Sequence, residues 1–244
     1  MNHVIARSVA TKQSVSNERS PRSLRSLAMT ALVYLELTKP RLTSLVIFTT
    51  WLGYAFAAPG VRPPFNMGSD PWRFIHTLLG SWLVASGAAA LNEYMERDLD
   101  ARMKRTQSRP LPQGRLRPNE AFAFGLLIST VGVAELALFV NLLTALLSLI
   151  SLGTYLLIYT PLKKRTSLCT LVGAIPGAIP PVMGWTAARP TIEPGGWALF
   201  AILFLWQLPH FLAIAWMYRE DYARAGFPML PVIDPDGAST SPDG

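Results

Sequence analysis

Charge is scarce in this sequence. Asp, Glu, Lys and Arg make up 15% of its 244 residues, well below the roughly 25% usual in soluble domains. Cysteine is nearly absent. The single thiol, Cys169, excludes an internal disulfide and any cysteine metal cluster. It lies near the start of an apolar block and reads as a small buried hydrophobe. The N-terminus has no apolar stretch of the kind that drives secretion, which excludes a secretory signal. Amphipathic periodicity is also missing: the apolar residues, half of the chain, fall into long blocks rather than helical or strand repeats. That pattern places the chain in the membrane class.

Six apolar spans are visible, at about 42–59, 74–92, 121–140, 142–160, 168–187 and 197–218. Each has the ~17–25 residues a helix needs to cross ~30 Å of hydrocarbon. The expected fold is an all-α, polytopic transmembrane helical bundle spanning residues 39–232. Only Asn141 separates the third and fourth spans, which predicts a tight antiparallel hairpin. Residues 1–38 are polar, rich in Ser and Arg and nearly free of acids. They fit a disordered cytosolic tail or an organelle transit peptide. Residues 233–244 form a second polar tail.

The net charge of +7 raises the question of a nucleic-acid partner. The basic residues, however, sit between apolar blocks and not along one soluble face, which argues against nucleic acid. Nineteen of the 22 Lys and Arg residues lie in the N-terminal tail, the second and fourth loops and the C-terminal segment; Arg62, Arg73 and Arg189 lie on the other side. The positive-inside rule then places the N-terminus in the cytosol or its equivalent. A multi-pass protein of the cell inner (plasma) membrane is expected, or of the mitochondrial inner membrane if the tail is a transit peptide.

The fifth span reads LCTLVGAIPGAIPPVMGW. Gly173, Gly177 and Gly184 allow close helix approach. Pro176, Pro180 and Pro181 remove backbone donors and are expected to break the helix. Broken backbone at membrane depth survives only when buried in protein or lining a cavity. The span therefore borders a cavity or is a kinked packing helix.

The second span ends in LNEYMERDLDARMKRTQSRPL. On a helix, Asn92, Glu96 and Asp100 recur every four residues and stack along one face, with Asp98 rotated away. A column of oxygen-bearing side chains at a membrane boundary suits Mg²⁺, which prefers one or two carboxylates, water and substrate phosphates. Arg105 and Arg109 follow, a guanidinium pair fit for a diphosphate. The bland alternative is a solvated helix end with ion pairs such as Glu93–Arg97 and Asp98–Arg102. Two other cytosolic segments match the richer reading. YTPLKKRT brings Tyr159, Lys163 and Arg165 to the same boundary, and MYREDYARAGFPMLP brings Glu220 and Asp221.

The asparagine–acid–acid column followed by Arg105, Thr106, Arg109, Pro110 and Leu111 resembles the first motif of the UbiA superfamily of intramembrane prenyltransferases. Further blocks are similar to its heme-farnesylating branch: TKPRLTSL near 38–45, Tyr159 to Arg165, GAIPGAIPPVMGW at 173–185, WQLPHF at 206–211 and DYARAGFPMLPV at 221–232. The resemblance implies a helical bundle around a cavity open to lipid. It implies farnesyl diphosphate as donor, heme B as acceptor and Mg²⁺ as cofactor, with heme A synthase or terminal-oxidase assembly factors as partners. Asn92, Glu96 and Asp100 would hold Mg²⁺ against the diphosphate. Arg105, Arg109, Lys163 and Arg165, with Tyr159, would bind the leaving group. Asp221, with Glu220, would supply the second acidic site.

The chain departs from that pattern twice. The superfamily's second motif is DxxxD, but Asp221 is followed four residues later by Ala225, so Glu220 is the expected substitute. The branch also has further helices after PMLPV, so this chain reads as C-terminally truncated. His210, within the sixth span, is a candidate heme ligand or propionate partner, or a packing histidine. His76 reads as interfacial, and Glu135 as protonated or paired within the bundle. Two rival functions stay open: prenyl transfer to an aromatic or quinone precursor, and transport, since broken helices also mark transporters.

Overall fold

The computed structural model describes residues 21–58 and 70–234, with side chains from residue 29 onward. Every regular element among the described residues is helical. In chain order they are α1 (Pro21–Leu37), α2 (Pro40–Ala57), α3 (Pro71–Asp100), α4 (Pro118–Phe139), α5 (Leu142–Leu162), α6 (Cys169–Ala188), α7 (Pro194–Met217), α8 (Arg219–Ala225) and α9 (Leu230–Ile233). Proline opens α2, α3, α4 and α7, where its missing N–H removes no helical bond.

Helices α3 to α7 are long and apolar enough to cross a membrane. The remaining expected span is α2, which starts on Pro40 and Arg41 and is less apolar. Large apolar side chains such as Leu127, Leu138, Leu157 and Leu205 are exposed on α4, α5 and α7. That is the arrangement of a bundle whose solvent is hydrocarbon. The tail expected through residue 38 is shorter on its C-terminal side. Pro21–Leu37 form α1 because ALVYLEL and the residues before it are good helix formers. Val33, Tyr34 and Leu37 pack it against Leu111, Leu116 and Ala121. Residues 1–20 and 235–244, most of the two tails, lie outside the described residues.

The expected hairpin forms. Asn141 caps α5, accepting from the Thr144 N–H at 2.8 Å, and its amide donates to Thr186 O at 2.8 Å. This one residue ends α4, starts α5 and ties both to α6.

Helix α6 lies at the centre, packed on α2, α5 and α7. Contrary to expectation, its three prolines do not break it: the helix runs unbroken from Cys169 to Ala188. The physical reason is that a carbonyl left without its helical donor can find one on a neighbour; Ser151 Oγ donates to Pro176 O at 3.1 Å. All three prolines are buried. Gly184 and Gly53 meet reciprocally, each against backbone of the other helix, Thr50 O and Pro181 O. A Cβ on either would overlap that oxygen, so α2 and α6 approach this closely only with glycine at both places. On its other side α6 borders an apolar cavity of about 190 Å³, lined by Ile179 and Val182 with Leu147, Ile192, Trp197 and Phe200.

The chain thus brings the ends of α3, α5 and α7 and the starts of α2, α4, α6 and α8 to one face. The candidate residues lie on that face.

Candidate active site

The last two turns of α3 carry the acidic column inward. Asn92, Glu93, Glu96 and Asp100 are all buried, Asp100 completely. Asp98 is exposed, with 82% of its side chain in solvent. This excludes the solvated-helix reading. Neither ion pair of that reading forms: Arg97 instead contacts Asp98, its own turn and the Tyr94 ring.

Burying carboxylates requires partners, and each acid has one from outside α3. Lys163, just past α5, places Nζ 3.1 Å from both oxygens of Glu96. Arg109 donates to Asp100 Oδ2 at 2.5 Å. Glu93 accepts from the Leu111 N–H at 3.4 Å. Asn92 accepts from Lys39 Nζ at 3.4 Å and donates to Thr160 Oγ1 at 3.2 Å.

The loop from 101 to 117 is folded back over the column by its own sequence. Thr106, buried, donates to Asp100 O at 2.8 Å, and Arg109 N donates to Thr106 O at 3.0 Å. Met103 and Leu111 enter the core from the same loop. Asp221, on α8, closes the other side. Its two oxygens accept the backbone N–H groups of Lys104 at 3.3 Å and Arg105 at 3.2 Å, and it pairs with Arg224. The two acidic segments expected from the sequence therefore meet through this loop.

Lys39 stands between α1 and α2 in left-handed backbone, φ 49° and ψ 61°. For a residue with a Cβ this costs about 1–2 kcal/mol, and Pro40 restricts it further. The kink directs the ammonium at the column. Burial first, and the nearby Arg109 guanidinium second, lower its pKa to about 8; Glu93, Asp100 and Glu96 oppose that shift.

Aromatic faces also meet two of the cations. Lys163 lies 4.6 Å from the Phe227 ring, and Arg105 lies 4.8 Å from the Tyr218 ring. Tyr159 stacks on Tyr155 and closes against Gly173, where a Cβ would meet the ring. Arg105, Arg165 and Glu220 are exposed. His210 is exposed on α7 and stacked on Trp206 at 4.7 Å.

A buried polar column is thus matched by basic groups from three loops, Lys39, Arg109 and Lys163. Residues 46–241 match the UbiA prenyltransferase family. The chain belongs to that family. Among curated relatives, the protoheme IX farnesyltransferase of Solibacter usitatus is 53% identical over 210 residues, covering 85% of this chain and 72% of the relative. That of Koribacter versatilis is 49% identical over 208 residues, covering 85% and 66%. The chain thus spans about two thirds to three quarters of the length of these relatives. Among solved structures, a UbiA homologue from Archaeoglobus fulgidus bound to GPP and Mg²⁺ superposes with a TM-score of 0.66 at 17% identity, covering 85% of this chain and 71% of that one. These likenesses bear out the helical-bundle fold and the assignment to the heme-farnesylating branch of UbiA proteins, and they set the transporter reading aside.

Three polar residues of this UbiA site went unnoticed in the sequence. Lys39 lies 53 positions from Asn92, and only the backbone kink brings it in. Glu93 enters the sequence reading only as an ion-pair partner of Arg97, because no spacing rule reveals the backbone N–H that its carboxylate meets. Thr160 carries no signal of its own in YTPLKKRT.

The donor set also bears on a metal. Among the described residues, no three His, Cys, Asp or Glu side chains converge on one point. Asp100 Oδ1, however, is buried without a hydrogen-bond partner. A buried carboxylate oxygen lacking a donor is a place for a cation. Mg²⁺ asks for only one or two protein carboxylates when phosphate and water complete its shell, so Asn92, Glu96 and Asp100 fit it.

Proposed function

We propose that this chain transfers a farnesyl group from farnesyl diphosphate to the 2-vinyl group of heme B, giving heme O and diphosphate. The observation that carries the reading is the buried Asn92–Glu96–Asp100 column, each member partnered by a cation or donor from another segment. Such pairs can exchange: a metal-bound diphosphate would take Lys163, Arg109 and Lys39 as its own partners and leave the acids to the metal. The name of the relatives, protoheme IX farnesyltransferase, supports a farnesyl donor and a heme acceptor.

In this reading Asn92, Glu96 and Asp100 hold Mg²⁺, which when bound neutralises the leaving group and polarises its oxygens. Lys163, Arg109 and Lys39 bind the diphosphate oxygens, together with Arg105 and Arg165. As the C1–O bond of the donor breaks, its electron pair leaves with the diphosphate, where these fixed cations stabilise the growing charge. Tyr159, Tyr155, Phe227 and Tyr222 stand beside the basic groups and keep water from the allylic cation. The vinyl π electrons of heme then form the new C–C bond. Water adds to the resulting cation and loses one proton, completing the hydroxyethyl group. Asp221 holds the 101–117 loop in place and, with Glu220, is the second acidic site. His210, on the α7 face, is the group to meet heme iron or a propionate.

The protein lies in the cell inner membrane with its N-terminus and this site on the cytosolic side. The test is release of diphosphate from farnesyl diphosphate in proteoliposomes. Release that needs Mg²⁺ and heme B, and is lost in Asp100→Asn, supports the reading. Release indifferent to Mg²⁺, or unchanged in Asp100→Asn, overturns it.

A further inference from the structure

The segment Thr154–Tyr159 of α5 is π-helical. Its wide turn precedes Pro161, which has no N–H to give, and a π-turn inside a helix often marks a functional position. The turn sets Thr160 against α3. Thr160 is 1% exposed, and its hydroxyl has two neighbours. It donates to Tyr155 O at 2.8 Å and accepts from Asn92 Nδ2 at 3.2 Å.

A hydroxyl has one proton. With that proton committed to Tyr155 O, Oγ1 only accepts, so the atom of Asn92 facing it must be the N–H₂. The opposite end of the amide faces Lys39 Nζ at 3.4 Å. An ammonium only donates, so that end must be the oxygen. Reversing the amide would set its nitrogen against the ammonium, two donors face to face. Both neighbours therefore demand one orientation of Asn92.

We propose that Thr160 is a positioning residue that fixes the Asn92 amide with its oxygen, not its nitrogen, turned toward the polar site. The inference rests on the proposed role of Asn92 toward Mg²⁺. Lys39 enforces the same orientation only until its ammonium turns to the diphosphate. From then on Thr160 is the protein group that keeps the oxygen presented to the metal, so that none of the amide's reorientation is left to the metal. Partners that orient a ligand in this way are typically worth about 10- to 100-fold in metal affinity.

The experiment follows thermal unfolding of the nanodisc-embedded protein during Mg²⁺ titration, with farnesyl thiolodiphosphate present as an unreactive donor analogue. Turnover is measured in parallel. Thr160→Val keeps the shape and removes the hydroxyl; Thr160→Ser restores it. The expected result is a Mg²⁺ midpoint about 10- to 100-fold higher in Thr160→Val, near normal in Thr160→Ser, with turnover recovering at saturating Mg²⁺. In an Asn92→Asp background both side-chain termini are oxygen, so Thr160→Val should then move the midpoint less than threefold. A wild-type midpoint in Thr160→Val overturns the inference and leaves the proposed function standing. A wild-type protein that Mg²⁺ and the analogue do not stabilise overturns both. If Thr160→Val does not fold, Thr160→Ala against Thr160→Ser reads the same difference, and equal midpoints there overturn the inference.

Discussion

Lys163 Nζ sits 3.1 Å from both carboxylate oxygens of Glu96, linking the end of α5 to the last turns of α3. Both side chains are buried, so neither charge is solvated if the other is removed. Lys163→Met should lower stability by about 3–5 kcal/mol, the usual cost of leaving one buried charge alone. The double variant Glu96→Gln/Lys163→Met should recover most of that loss. Both variants should lose at least about 100-fold in turnover. Thermal unfolding beside single-turnover kinetics separates the two effects.

Lys39 should set an alkaline limit on activity. Its pKa is lowered to about 8 by burial, so the ammonium is present below that pH and lost above it. The value of kcat/KM for farnesyl diphosphate should therefore fall as pH rises through about 8. In Lys39→Arg the charge persists, and the fall should disappear. An identical pH profile in the two proteins would remove Lys39 from the diphosphate site.

Asp221 is the pin of the loop over the site. Its carboxylate holds the N–H groups of Lys104 and Arg105. Asp221→Ala removes the acceptor of two part-buried backbone N–H groups, and two hydrogen bonds of this kind are together worth about 1–3 kcal/mol. Limited trypsin cleavage after Lys104 or Arg105 should become roughly tenfold faster, a change of that size in local opening. The Michaelis constant for farnesyl diphosphate should rise with it. Unchanged cleavage would mean the loop is held elsewhere.

At the other end of α3, His76 Nδ1 lies 2.5 Å from Glu135 Oε1, and the ring stacks on Phe139. The structure joins two residues that the sequence left separate, one read as interfacial and the other as protonated or paired. The pair ties α3 to α4 far from the acidic column. His76→Leu and Glu135→Leu should each lower the unfolding temperature, and the double variant should lie closer to wild type than either. The Michaelis constants should not move. A change in them with stability preserved would give this pair a place in the reaction.

Long apolar runs, the Asn141 hairpin and the four-residue spacing of Asn92, Glu96 and Asp100 were legible because they depend on local chemistry alone. Composition misjudged α1, since its polar Ser and Arg residues mask a helix that packs through Val33, Tyr34 and Leu37. The prolines of α6 misled for a related reason. Their effect on a helix depends on whether neighbours cover the freed carbonyls, and the donor from Ser151 lies 25 residues away in the chain. Within the site, the motif identified residues by type but not by partner. Lys39, Glu93 and Thr160 join through a left-handed kink, a backbone N–H and a π-turn, none of which has a spacing signature.

The proposed reaction is farnesyl transfer to heme governed by the buried column. Its most direct test is pigment analysis of membranes carrying the protein, supplied with heme B, farnesyl diphosphate and Mg²⁺. Heme O should accumulate with the wild-type protein and be absent with Asp100→Asn, though that variant remains folded in the membrane. Heme B recovered unchanged with the wild-type protein, or heme O formed equally by Asp100→Asn, would rule out heme farnesylation at this column.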